Sequence, residues 1–237
     1  MQFKAILFDL DGTLLPMDMD TFTKGYFASL KQFSVGDKVS TKEFIDAMWH
    51  GVAAMQRNDG EETNEAVFWE VFKKYLSVVD DNMRATTNLY YATAFDENKK
   101  FTIENPLAKE AVRIAHEKAE KVILATNPLF PMAAQRTRLS WLGLSPEDFD
   151  LVTSYETCYY CKPQPLYFTK DVLAPMSLQP SDCLMIGNDE EEDMYAASLA
   201  GFNCYLVTDC CLPSEKHPWH GARGSFSDML AMLYSLD

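Results

Sequence analysis

Short, unbroken apolar runs limit what this chain can fold into more than any other feature. They lie at residues 3–8 (FKAILF), 121–126 (KVILAT), 151–153 (LVT), 183–187 (CLMIG) and 203–207 (NCYLV). Continuous apolar runs of this length read as strands covered on both faces, which is the state of strands in a parallel sheet. Helical patterns fill the intervals at about 107–118, 129–142, 165–174, 190–200 and 225–235. Gly143 and Gly201 stand where helix C-termini favour a left-handed residue. Strands alternating with helices predict an α/β fold, a Rossmann-like doubly wound parallel sheet.

Residues 17–96 differ in character. Phe22, Tyr26, Phe27, Leu30 and Phe33 keep helical spacing, as do Phe44, Ile45, Met48, Val52 and Met55, and then Val67, Phe68, Val71, Phe72 and Tyr75. Ser40 followed by Glu43 is a capping-box pattern at the start of the second of these helices. A fourth helix is expected near 82–95, and the NDGEET segment at 58–63 is a loop. A stretch this long is no ordinary loop in a compact domain. It predicts an all-helical subdomain at 17–96, inserted in a core made of 1–16 and 97–237.

The chain has 237 residues, 47% of them hydrophobic, enough for a sizeable core, and a net charge of −14. An acidic chain without a basic run is a poor partner for nucleic acid or an anionic membrane. No apolar run reaches the length of a membrane span, and MQFKAILFDLDGT makes a poor signal peptide. All six cysteines lie in the C-terminal third, and reduced thiols in a cytoplasm are expected. The lone Cys158-Tyr159-Tyr160-Cys161 motif, with Cys210-Cys211 beyond it, lacks the spacing of a structural zinc site. Small buried or half-exposed thiols are expected there. With so much negative charge, an anionic substrate would need local positive charge, most simply a metal.

Asp9 and Asp11 close the first apolar run, where open α/β sheets place their ligands. Side chains two apart on an extended backbone share a side. Paired carboxylates push their proton affinities apart, which suits one ionised group and one acid. Gly12 frees the backbone for a turn, and Thr13 follows it. Thr126 and Asn127 end the second run before a helix, where a hydroxyl and free N–H groups suit a phosphate as well as a helix cap. Lys162 precedes another helix. In the block 186–193 (IGNDEEED), Glu190, Glu191 and Glu192 fit the first turn of a helix. Asp189 at the strand tip is the kind of hard oxygen donor that suits Mg²⁺.

DLDGT at 9–13, Thr126 at a strand end, Lys162 before a helix and the later acidic block resemble, in order and position, the four motifs of the haloacid dehalogenase superfamily. The resemblance covers the core and places 17–96 where that family inserts its cap. It implies that Asp9 is the nucleophile and Asp11 the general acid and base, with Thr126 and Lys162 holding the phosphoryl group. It further implies that Asp9, the Asp11 carbonyl and Asp189 bind Mg²⁺, with Asp193 supporting Lys162. Asn188 departs from the pattern, standing where many members have Gly or Glu. The expected activity is hydrolysis of a small soluble phosphate monoester through an aspartyl-phosphate. A phosphomutase of the same family and a non-catalytic phosphoryl-ligand sensor are the alternatives.

Overall fold

The computed structural model describes residues 3–78 and 82–236. The ends of the expected core and residues 79–81 of the expected insert lie outside the described residues.

Six parallel strands form one sheet in the order β3-β2-β1-β4-β5-β6. They are β1 (Ala5–Phe8), β2 (Lys121–Leu124), β3 (Leu151–Val152), β4 (Cys183–Gly187), β5 (Asn203–Val207) and β6 (Arg223–Gly224). β1 lies between β2 and β4, with Ala5 opposite both Lys121 and Cys183 and Phe8 opposite both Leu124 and Ile186. Ile6 and Phe8 face one apolar layer, while Ala5 and Leu7 face the other. Burial on both faces is why this strand reads as an unbroken apolar run rather than an alternating one. β6 was not expected: it is two residues long, at the sheet edge, and carries no apolar run to mark it.

The core helices are α5 (Ala108–Lys118), α6 (Met132–Trp141), α7 (Ala174–Met176), α8 (Ala196–Ala200) and α9 (Phe226–Ser235). α7 and α8 continue wider, π-type turns over Tyr167–Leu173 and Glu190–Tyr195. Gly143 and Gly201 both have positive φ, at 68° and 95°, as the sequence predicts. α6 starts three residues later than expected, because Pro131 takes the extended N-cap position.

Between β1 and α5 lie the helices of the cap: α1 (Met19–Ser34), α2 (Thr41–Gln56), α3 (Asn64–Lys74) and α4 (Met83–Ala92). Asp18, Ser40 and Thr63 cap the first three through N–H bonds to their side-chain oxygens. Only half of the expected capping box forms at Ser40. The Glu43 carboxylate accepts the Ser77 N–H at 2.7 Å instead of reaching back, tying α2 to the segment after α3. The α1 stripe is buried through Leu30, but Phe33 is 37% exposed. Tyr75 lies outside the cap core and stacks on His50, with ring centroids 3.7 Å apart.

Backbone hydrogen bonds tie the cap to the core at two places. Where the chain crosses, Met17 bridges to Thr102 and the Ile103 N–H donates to Pro16 O at 2.8 Å. At the start of α3, the Asn64 and Glu65 N–H groups donate to core carbonyls, Cys158 O at 2.9 Å and Tyr155 O at 2.8 Å. First-turn N–H groups have no partner within their own helix, so the core supplies one. No helix among the described residues is long and apolar enough to cross a membrane.

Candidate active site

After β3 the chain returns to the other side of β1, so the topological switch point lies between β1 and β4, where sheets of this kind form a crevice. Asp9 follows β1 directly and donates its N–H to Ile186 O on β4 at 2.9 Å. The turn after it depends on Gly12, whose φ is +88°. A Cβ there would stand 2.3 Å from Asn188 Nδ2. Asn188 pins this turn to the end of β4: its Oδ1 accepts from Thr13 Oγ1 at 2.9 Å, and its Nδ2 donates to Cys210 O at 2.8 Å. Thr13 also reaches Asp9 Oδ2 at 3.3 Å.

Lys162 is buried at the centre. Its Nζ lies 3.0 Å from Asp9 Oδ1 and 2.6 Å from Asp193 Oδ1. Burial works to discharge this ammonium, but Asp193 and Asp9 outweigh it and hold its pKa well above the usual lysine value. The other oxygen of Asp193 accepts the N–H groups of Asn188 and Asp189 at 3.0 and 3.1 Å. One carboxylate therefore joins the lysine to the tip of β4. Asp189 Oδ1 caps the following turn through the Glu191 and Glu192 N–H groups, both at 2.8 Å, leaving Oδ2 outside these bonds.

Thr126 is 2% exposed, and its carbonyl accepts from Thr153 Oγ1 and the Tyr167 hydroxyl. The Asn127 amide donates to Glu192 Oε2 at 2.8 Å, and its Oδ1 is buried without a partner. As placed here, its NH₂ serves Glu192 rather than an open anion site.

Burial pushes Asp9 up to about 7 despite Lys162, and Glu192 up to about 8, with Asp189 raising it further. Asp189 is raised as well, by burial and then by Asp193. Against the carboxylates of Asp9, Asp11, Asp189, Glu192 and Asp193, the ion pairs supply Lys162 and Arg138. Asp11 Oδ1 is buried with no partner. An all-oxygen donor set with excess negative charge fits a hard divalent cation. Among the described residues no group of three or more histidine, cysteine, aspartate or glutamate side chains is arranged to hold a metal ion. That too is compatible with Mg²⁺, which shares few carboxylates and keeps waters.

A sequence model of haloacid dehalogenase-like hydrolases matches residues 3–201. The chain belongs to that family. A ribulose-1,5-bisphosphate 5-phosphatase of Halopiger xanaduensis is 26% identical to this hydrolase over 217 residues, 90% of this chain and 86% of the relative. The structure of 2-haloacid dehalogenase from Pseudomonas syringae pv. tomato DC3000 superposes with a TM-score of 0.65 at 16% identity, covering 98% of each chain. The hydrolase YfnB of Bacillus subtilis, solved bound to magnesium, gives a TM-score of 0.57 at 16% identity, covering 98% of this chain and 99% of that one. At such identities the structural matches establish the fold, not the reaction.

Two site residues of this hydrolase were not anticipated. Arg138 on α6 is fully buried and ion-paired with Asp11 Oδ2, while its second terminal nitrogen donates to Gln135. The Phe130 ring lies against the guanidinium, 4.2 Å from its carbon to the ring centroid. A signal existed: Gln135 and Arg138 fall on the same inward stripe of α6 as Ala134 and Leu139, and a charge on a buried stripe needs a partner. Asn188 is the other. Its side chain joins the first turn to the end of β4 through Thr13. Cys158 and Cys161 are buried behind the site, where burial pushes the Cys158 thiol up to about 12 and Cys161 well above its usual value.

Proposed function

We propose that this hydrolase is a Mg²⁺-dependent phosphatase that cleaves a small phosphate monoester through an aspartyl-phosphate on Asp9. The observation that carries this reading is the buried Lys162 bridge between Asp9 and Asp193. It sets a permanent cation beside a nucleophile that must meet an anionic phosphoryl group. The phosphatase activity of the Halopiger xanaduensis relative supports the same reading.

Asp9 attacks phosphorus in line and the ester oxygen leaves. Lys162 offsets the repulsion between the carboxylate and the phosphoryl oxygens, and Thr126 offers a hydroxyl at the end of β2. Arg138 grips Oδ2 of Asp11, so the orphaned Oδ1 is the oxygen that gives a proton to the leaving alcohol. It then takes one from the water that hydrolyses the acyl phosphate. Asp9, the Asp11 carbonyl and Asp189 would hold Mg²⁺, with Asp189 offering Oδ2. The bound ion supplies charge neutralisation of the kind that favours phosphoryl transfer. We place the catalytic core at 1–16 and 97–237 and the substrate-selecting cap at 17–96, acting in the cytoplasm.

The test is phosphate release from a panel of soluble monoesters with Mg²⁺, using the wild-type protein and Asp9→Asn. Turnover by the wild type and none by the variant supports the reading. Equal activity in both would exclude Asp9 as the nucleophile.

A further inference from the structure

A cavity of about 150 Å³ lies among the cap helices, bounded on one side by Leu129, Phe130 and Tyr155 of the core. Its walls include Phe22 and Tyr26 from α1, Met48 from α2, Trp69 from α3, and Leu129 and Phe130 from the loop after β2. Its lining contains no charged side chain. Trp49, which also borders it, is 51% exposed, so this wall reaches solvent.

Two relationships separate this cavity from an ordinary packing defect. The first is unmet polarity: Ser34 Oγ belongs to its lining and is buried without a hydrogen-bond partner. Trp69 and Tyr155, 5% and 4% exposed, turn their polar atoms to one another in a side-chain hydrogen bond and leave the Ser34 hydroxyl as the lone one. Buried polar atoms are seldom left so. The second is position. Phe130 is a cavity wall and also covers the Arg138 guanidinium, which is ion-paired with Asp11. One partly exposed ring therefore stands between the cavity and the Arg138–Asp11 pair.

Resting on the phosphatase reading, we propose that this cavity receives the leaving alcohol of the substrate, and that the alcohol carries an apolar group about the size of one ring. A cavity of roughly 150 Å³ with apolar walls accepts a molecule as large as benzene. A second phosphate would meet no cation in these walls, and a polyol would lose hydrogen bonds to water with few to replace them. The ring passes Phe130 to enter, leaving its exocyclic oxygen on the Asp11 side, where the proton is needed.

The experiment compares kcat/KM for benzyl phosphate and glycerol 1-phosphate, two primary alkyl phosphates, using the full chain with Mg²⁺. Burying the ring should favour benzyl phosphate by about 10–100-fold. Val52→Phe, which fills the cavity from α2, should move that ratio toward one. Saturable binding of benzyl alcohol to the wild type, followed by calorimetry and tryptophan fluorescence, gives a readout that needs no turnover and no folded variant. Equal or reversed preference for the two esters, or no binding of benzyl alcohol, overturns the cavity assignment. If neither ester is hydrolysed while benzyl alcohol binds, the phosphatase reading fails and the ring-sized site stands.

Discussion

The Arg138 guanidinium, with no solvent exposure, is ion-paired with one oxygen of Asp11, while the other oxygen of Asp11 is buried and unpartnered. A buried cation is kept only where it is paired, and removing one partner strands the other charge. Arg138→Met should therefore destabilise the fold by about 2–4 kcal/mol, toward the low side of the usual range because Asp11 keeps some water contact. Urea denaturation of the variant measures this. In the double variant with Asp11→Asn the added cost should be smaller, since the amide leaves no stranded charge. Strictly additive losses would show that the two side chains do not support each other.

The two aspartates of the first turn should separate kinetically. Asp9→Asn leaves no group able to form the acyl phosphate, so no ester should turn over. Asp11→Asn removes a proton donor and acceptor, so alkyl phosphate cleavage should slow by about 10²–10⁴-fold. p-Nitrophenyl phosphate needs no such proton for its first step. With Asp11→Asn it should give a burst of product and an intact mass heavier by one phosphoryl group. A burst from Asp9→Asn instead would reverse the roles.

Metal dependence follows from excess carboxylate charge around Lys162 and Arg138. Chelation with EDTA should abolish turnover and Mg²⁺ should restore it. Added Mg²⁺ should also raise the thermal midpoint, because a cation that binds only the folded state stabilises it. Asp189→Asn should raise the Mg²⁺ concentration for half-maximal activity by about tenfold or more. A midpoint indifferent to Mg²⁺ would argue against this donor set.

Asp171 gives the pH dependence a checkable sign. Its Oδ2 accepts the Tyr159 and Tyr160 N–H groups at 3.0 and 2.8 Å, holding the turn that leads to Lys162. Burial pushes it up to about 6, with those N–H bonds working in the opposite direction. Above the unfolded value of 3.8 the unfolded chain releases this proton first, so this group's contribution to stability falls as pH rises toward about 6 and is flat beyond. Asp171→Asn keeps an accepting oxygen and removes the titration. Measured against the wild type at each pH, its stability should rise between pH 4 and 6 and then level off, as urea midpoints would show. Parallel profiles would rule out this contribution.

Much of this architecture was legible because burial on both faces of a sheet leaves a mark on consecutive residues. FKAILF, CLMIG and NCYLV could be read as strands with no knowledge of their partners, whereas β6, at the edge, could not. The acids were legible because Asp9 and Asp189 fall directly where apolar runs stop. Arg138 was obscured for the opposite reason: it lies mid-helix, far from any strand end, and only its place on the inward stripe of α6 sets it apart. Asn188 was legible as a departure but not in its bonds, one of which joins residues 175 positions apart. The cavity is a property of how α1, α2 and α3 approach the loop after β2, and periodicity says which side chains turn inward without saying how closely they fill the space.

The two tethers between cap and core restrict how the cap can move. One lies at the paired crossings near Pro16 and Ile103, the other at the start of α3 on the Tyr155 and Cys158 carbonyls. Side chains add further ties, Gln164 Nε2 to Gln56 O and Trp141 Nε1 to Asp96 Oδ1, both at 2.7 Å, so the cap is held along several lines and not on one hinge. Severing the α3 tether would therefore loosen one side of the cap without setting it free.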